Sequence, residues 1–302
     1  MDVDRSMAVA YASRRDWVWA FPADQAQILS KRENMNSIDQ SLLKKRFALR
    51  KTRYISERFE KSPNITEQCA VSDCLHISYA AQDEAVLPLI STSFLQAYQY
   101  VKDWFGFDSD MAFGLWMAPY VEDLQYMTCQ PHDEGFFCAP GSRDNRNIIL
   151  FVSPLSCRVN ADKDRLTGVF AHEITHHVVR DISGATVLSM TRKEKRDVPM
   201  WLEEGLCQVI NSEIYPPLRQ SCAERIDGAA KWYDREELWN DLSSCEEVNT
   251  AYLQAYKETK SLLAAKGRTE IIRLLYRNRT GETDWTALDA GVCGDETERQ
   301  GA

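Results

Sequence analysis

The chain has 302 residues, 44% hydrophobic and 27% charged, with a net charge of −9. That suits a globular chain with a substantial core, and the sequence holds no run of about eighteen apolar residues to span a membrane. Residues 1–61 carry 13 Lys/Arg against 8 Asp/Glu, leaving 23 against 37 in the rest. The main body is therefore acidic, which argues against nucleic acid as a partner, because phosphate binding needs a basic footprint.

The N-terminus does not read as a secretion signal. Met1-Asp2-Val3-Asp4 is acidic where basic residues are expected, and the short apolar run that follows ends at Arg14-Arg15. The nine cysteines point the other way. Cys69 lies close to Cys74 and Cys129 to Cys138, while Cys222 and Cys245 flank a helical hairpin. Such spacings fit small disulfide loops and tilt the expectation toward an extracytoplasmic compartment. No CxxC occurs, so a zinc knuckle is not expected. Cys207, in an apolar run, reads as a buried thiol.

Residues 1–66 read as an N-terminal helical extension. Its basic, helix-prone stretch over residues 41–61 suits a pro-segment, a docking arm or a linker helix, and Pro63-Asn64 marks its end. Residues 67–302 form the main domain. CLHISYA (74–80) alternates in polarity and predicts a strand. Residues 87–105 have helical apolar spacing and stop at Gly106. Residues 111–118 and 147–153 are apolar, strand-like runs separated by a turn-rich loop over residues 126–145. Residues 162–181 predict a helix with aspartates in its first turn, suiting the helix dipole. Residues 198–212 predict another, begun by Pro199. Beyond Pro216-Pro217, helices are expected over residues 237–245, 250–265 and 270–278. The fold class is thus α+β: a small mixed sheet with a long helix packed on it (about 67–184), followed by a mainly helical subdomain (about 185–302).

The chemistry lies in AHEITHH. His172 and His176 are four apart, so one helix face offers two imidazoles to one metal ion, and imidazole suits zinc. Glu173 falls beside that pair, where a carboxylate can take a proton from a metal-activated water without ligating the ion. A third ligand is needed. No histidine follows His177, and position 182 is Ile, so the ligand is a carboxylate or comes from upstream. Trp201-Leu202-Glu203-Glu204-Gly205-Leu206 supplies two carboxylates in an apolar stretch, which calls for a cation there. That cation is a metal, or else Arg180 or Arg192 in a salt bridge.

HEITHH followed by WLEEGL resembles the gluzincin zinc metallopeptidases, especially the peptidase MA-like group related to the M1 aminopeptidases. The resemblance implies a thermolysin-like catalytic fold and one zinc ion held by His172, His176 and Glu204, with Glu203 at the variable position. Glu173 is then the catalytic base. TAYLQAYKETKSLLAAKG (250–267) resembles the family's downstream helix, which places Tyr252, with Tyr256 as the fallback, as donor to the oxyanion. No G-x-M-E-N segment is present, so cleavage within peptide or protein chains is expected rather than aminopeptidase activity. The resemblance also makes strand 147–153 an edge strand that holds extended substrate. Rival readings are a zinc-binding protein of this fold without catalysis, a secreted effector protease with one protein target, and a zymogen held off by residues 1–66. His177, about 100° round the helix from His176, is expected to pack or to support the site. His132 is expected in an exposed loop, and Gln208 is a candidate to orient a ligand imidazole.

Overall fold

The computed structural model describes residues 38–49, 60–108, 110–129, 141–143, 146–185, 197–226, 232–242, 245–285 and 288. The chain divides into two compact units, Met1–Glu173 and Ile174–Ala302.

The first unit is built on a five-stranded mixed sheet. Its strands are β1 (Glu67–Ser72), β2 (Leu75–Tyr79), β3 (Phe113–Ala118), β4 (Gly141–Arg143) and β5 (Arg146–Val152), in the order β1-β2-β3-β5-β4. β1 and β2 form an antiparallel hairpin, β2–β3 and β3–β5 are parallel, and β4 runs antiparallel to β5. Helices α1 (Gln40–Leu49), α2 (Leu87–Phe105), α3 (Val121–Thr128) and the start of α4 (Lys163–Ser183) complete the unit.

β3 is buried throughout because both sheet faces are covered, which is why it reads as a continuous apolar run rather than an alternating one. On one face, Phe94 of α2 packs edge-on to Phe113 at 5.2 Å. Phe170 of α4 packs at 5.7 Å from Phe94 and 5.3 Å from Phe151. These aromatic contacts, each worth about 1 kcal/mol beyond burial, seat the first half of α4 on the sheet. On the other face, Trp116, Ala118, Ile148, Leu150 and Val152 cluster with Leu124 and Met127 of α3 and with Ile38 and Leu43.

Helix α1 is therefore part of the core. Arg46 is buried with it, donating Nε to the Tyr126 carbonyl at 3.0 Å and pairing with Glu60 at 3.1 Å. Most of the expected 1–66 extension lies outside the described residues, and its α1 segment packs into the first unit.

The second unit contains the end of α4 with α5 (Met200–Ile214), α6 (Pro216–Ile226), α7 (Val248–Lys266) and α8 (Arg268–Asn278), and is helical among the described residues. The α5–α7 crossing is set by Gly205. A Cβ there would collide with Thr259 Oγ1 and with the Ala255 carbonyl oxygen. Gly205→Ala gains about 1 kcal/mol of helix propensity, but overpacking costs roughly 1–3 kcal/mol, and a backbone carbonyl cannot rotate away as a side chain can. A net loss of stability is expected in urea unfolding, and an unchanged midpoint would contradict it.

Several expectations are corrected. Residues 237–242, the described start of the helix expected over 237–245, are not an α-helix. The Leu238 and Trp239 carbonyls accept from the N–H groups of Trp201 and Met200, closing the N-terminus of α5, so they are not available to a helix of their own. Strand 147–153 is not a bare edge, because β4 pairs along its first residues. The Cys69–Cys74 and Cys222–Cys245 bridges are not formed: Cys69, Cys74 and Cys222 are free thiols. Cys69 faces Ile77 across the hairpin rather than Cys74, and burial pushes the Cys222 thiol up to about 11. Cys138 lies outside the described residues. No helix among the described residues is long and apolar enough to cross a membrane.

Candidate metal centre

Helix α4 starts at Asp162, whose Oδ1 accepts from the backbone N–H groups of Asp164 (3.0 Å) and Arg165 (3.1 Å), a side-chain cap on the helix N-terminus. The helix then carries an apolar stripe that includes Leu166, Phe170, Ile174 and Val178, all buried. The HExxH residues are drawn inside with it: His172, Glu173, His176 and His177 are each less than 10% exposed.

The two adjacent glutamates of α5 bracket one imidazole. Glu203, fully buried, places Oε1 2.8 Å from His176 Nδ1 and 2.8 Å from an Arg180 guanidinium nitrogen. Glu204 places Oε2 3.5 Å from His176 Nε2 on the ring's other side. A carboxylate accepting from Nδ1–H fixes the tautomer that leaves the Nε2 lone pair free for a metal. Two donors on a tetrahedral zinc, at about 2.0–2.2 Å each, stand about 3.4 Å apart. The 3.5 Å between Nε2 and Oε2 is that separation. Tyr252 reaches the same carboxylate, its hydroxyl donating to Glu204 Oε1 at 3.3 Å.

A third side chain of α5 enters the cluster. The ligand atoms of His172, His176 and Cys207 all lie within 4.8 Å of one another, and all three residues are buried, so this group can bind a metal ion. Burial pushes the Cys207 thiol up to about 12, so it is protonated unless a cation draws the proton off. Burial alone would lower the proton affinity of His176. The adjoining Cys207 and Glu204, and the hydrogen bonds that the ring makes to Cys207 and Glu203, instead raise it well above that of an ordinary imidazole. The pocket thus stabilises positive charge at this ring, as proton or as metal.

The two adjacent glutamates have different partners. Glu203 takes the salt bridge to Arg180, and Glu204 stands 3.5 Å from His176 Nε2. Of the two tyrosines left open by the sequence, Tyr252 is hydrogen-bonded to Glu204, while Tyr256 is buried with the Lys260 ammonium 5.7 Å from its ring centre. Gln208 is buried, but the orienting bond to His176 comes from Glu203. His132 and Arg192 lie outside the described residues. Sequence reasoning missed two residues, Glu203 as the support of His176 and Cys207 as a donor. The available clue to Cys207 was its position three residues after Glu204, on the same helix face.

The fold and site together define a mixed α/β protein with a small sheet, mostly helical, with a buried His–His–Cys group able to bind a metal ion. No protein-family model matches the chain, and no curated protein matches it.

Proposed function

We propose that this protein is a zinc-dependent metallopeptidase of the gluzincin type, with a thermolysin-like catalytic fold, cleaving within peptide or protein chains. The observation that carries the reading is the bracketing of His176: Glu203 at 2.8 Å from Nδ1 and Glu204 at 3.5 Å from Nε2. One carboxylate orients the ring, and the other stands where a co-ligand belongs. His172, His176 and Glu204 would hold the ion, which when bound lowers the pKa of a water toward about 7 and polarises the scissile carbonyl. Glu173 is the base that takes the proton of the attacking water and returns it to the leaving nitrogen. Tyr252, whose one O–H donates to Glu204 Oε1 at rest, turns it to the developing oxyanion.

The test is hydrolysis of unstructured peptides by the zinc-loaded full chain, with products mapped by mass spectrometry. Cleavage at internal bonds is expected, abolished by a zinc chelator and restored by added zinc. Stoichiometric zinc with no hydrolysis of any peptide would instead establish a zinc-binding protein without catalysis.

A further inference from the structure

Cys207 is the one donor of the buried group that the proposed reaction leaves unused. It lies three residues after Glu204 on α5, fully buried, and hydrogen-bonds to His176. Its sulfur and the ligand nitrogens of His172 and His176 are within 4.8 Å of one another, while Glu204 Oε2 stands 3.5 Å from His176 Nε2. Around a tetrahedral zinc, a nitrogen at about 2.0 Å and a sulfur at about 2.3 Å are about 3.5 Å apart. With the three ligand atoms no more than 4.8 Å apart, the sulfur is at most about 1.3 Å beyond that separation from either imidazole, a gap the cysteine's single side-chain torsion can narrow. Packing alone does not account for the position, since a thiol serving only to fill the core has no need to face two metal-competent imidazoles.

We propose that Cys207 is a fourth protein ligand, closing a His172–His176–Glu204–Cys207 set in the resting state and yielding its position to water when the enzyme turns over. This rests on the metallopeptidase reading. Metal binding forms the metal–sulfur bond and releases the thiol proton to solvent. Entry of water breaks that bond, and the thiolate takes up a proton again. Structural zinc sites have four protein ligands, whereas catalytic ones keep a position open. Cys207 would let one site pass between the two, a built-in brake on hydrolysis.

The experiment uses the full chain loaded with cobalt(II), read by absorption spectroscopy. Wild type is expected to show visible d–d bands together with a near-ultraviolet thiolate-to-cobalt charge-transfer band. Cys207→Ala is expected to keep the d–d bands, lose the charge-transfer band and hydrolyse peptides faster than wild type. X-ray absorption of the zinc-loaded wild type, which needs no variant, is expected to show one sulfur at about 2.3 Å. Intense d–d bands without charge transfer, or a charge-transfer band that survives Cys207→Ala, would overturn the ligand assignment and leave the metallopeptidase reading standing. A variant no faster than wild type would overturn the braking role. No d–d bands in wild type would overturn the metal reading itself, and this proposal with it.

Discussion

Glu173→Gln is expected to lower peptide hydrolysis by about two to four orders of magnitude while the protein still binds its metal. The substitution preserves size and shape at a buried position on α4, so packing is little disturbed. It removes only the carboxylate's capacity to accept a proton and pass it on. Glu173 is next to His172 in sequence, and its direction from the helix axis is about 100° away from that of His172, so it would flank a metal on the proposed site without being needed to hold it. The effect should therefore fall on kcat, with metal content and unfolding midpoint close to wild type. Initial rates and metal analysis on the same preparation check this. A variant with wild-type rates would remove Glu173 from the chemistry.

Glu203→Ala is expected to have the largest effect on stability. Glu203 is fully buried, and one of its oxygens serves both Arg180 and His176 at 2.8 Å. Alanine leaves the Arg180 guanidinium buried without its counter-charge. Breaking one side of such a pair costs about 3–5 kcal/mol. It also frees the His176 ring to rotate, and loss of a carboxylate behind a ligand histidine weakens metal binding roughly 10–100-fold. Glu203→Gln keeps the shape without the charge and should fall between the two. Urea unfolding of the metal-free protein separates the first effect, and a competition titration for zinc the second. Stability and affinity both within about 0.5 kcal/mol of wild type would show that the Arg180–Glu203–His176 chain is not a support.

The elements legible in the sequence are those whose packing leaves a local record. Helix α2 shows its apolar spacing and ends at Gly106, which adopts a left-handed φ of 62° as the helix stop requires. β3 and β5 are apolar because both faces are covered. β1 leaves no such record: it is largely exposed and is held in the sheet by its pairing with β2. Residues 237–245 look helical by composition, but the Leu238 and Trp239 carbonyls serve α5, and that tertiary bond overrides local preference. The burial of helix α1, though not its helicity, was hidden for the opposite reason. Its lysines and arginines suggest a solvated helix, yet Leu43 on its other side is fully buried.

The candidate site divides the same way. The i, i+4 spacing of His172 and His176 is a property of one helix and can be read directly. Which of two adjacent glutamates meets Nδ1 and which meets Nε2 depends on how α4 and α5 cross, and no spacing encodes that angle. The resemblance to gluzincins pointed to Glu204 but left Glu203 without a role. The same crossing brings Cys207 to the imidazoles, out of the apolar run where it read as a packing thiol.

The most direct test of the metal centre is the zinc content of wild type and of Glu204→Ala, measured by mass spectrometry after zinc loading and identical dialysis. About one zinc per chain is expected in wild type, with most of it lost from Glu204→Ala although the variant remains folded. A wild-type chain that retains no zinc, or a Glu204→Ala variant that holds it as tightly as wild type, would contradict the metal centre proposed for this protein.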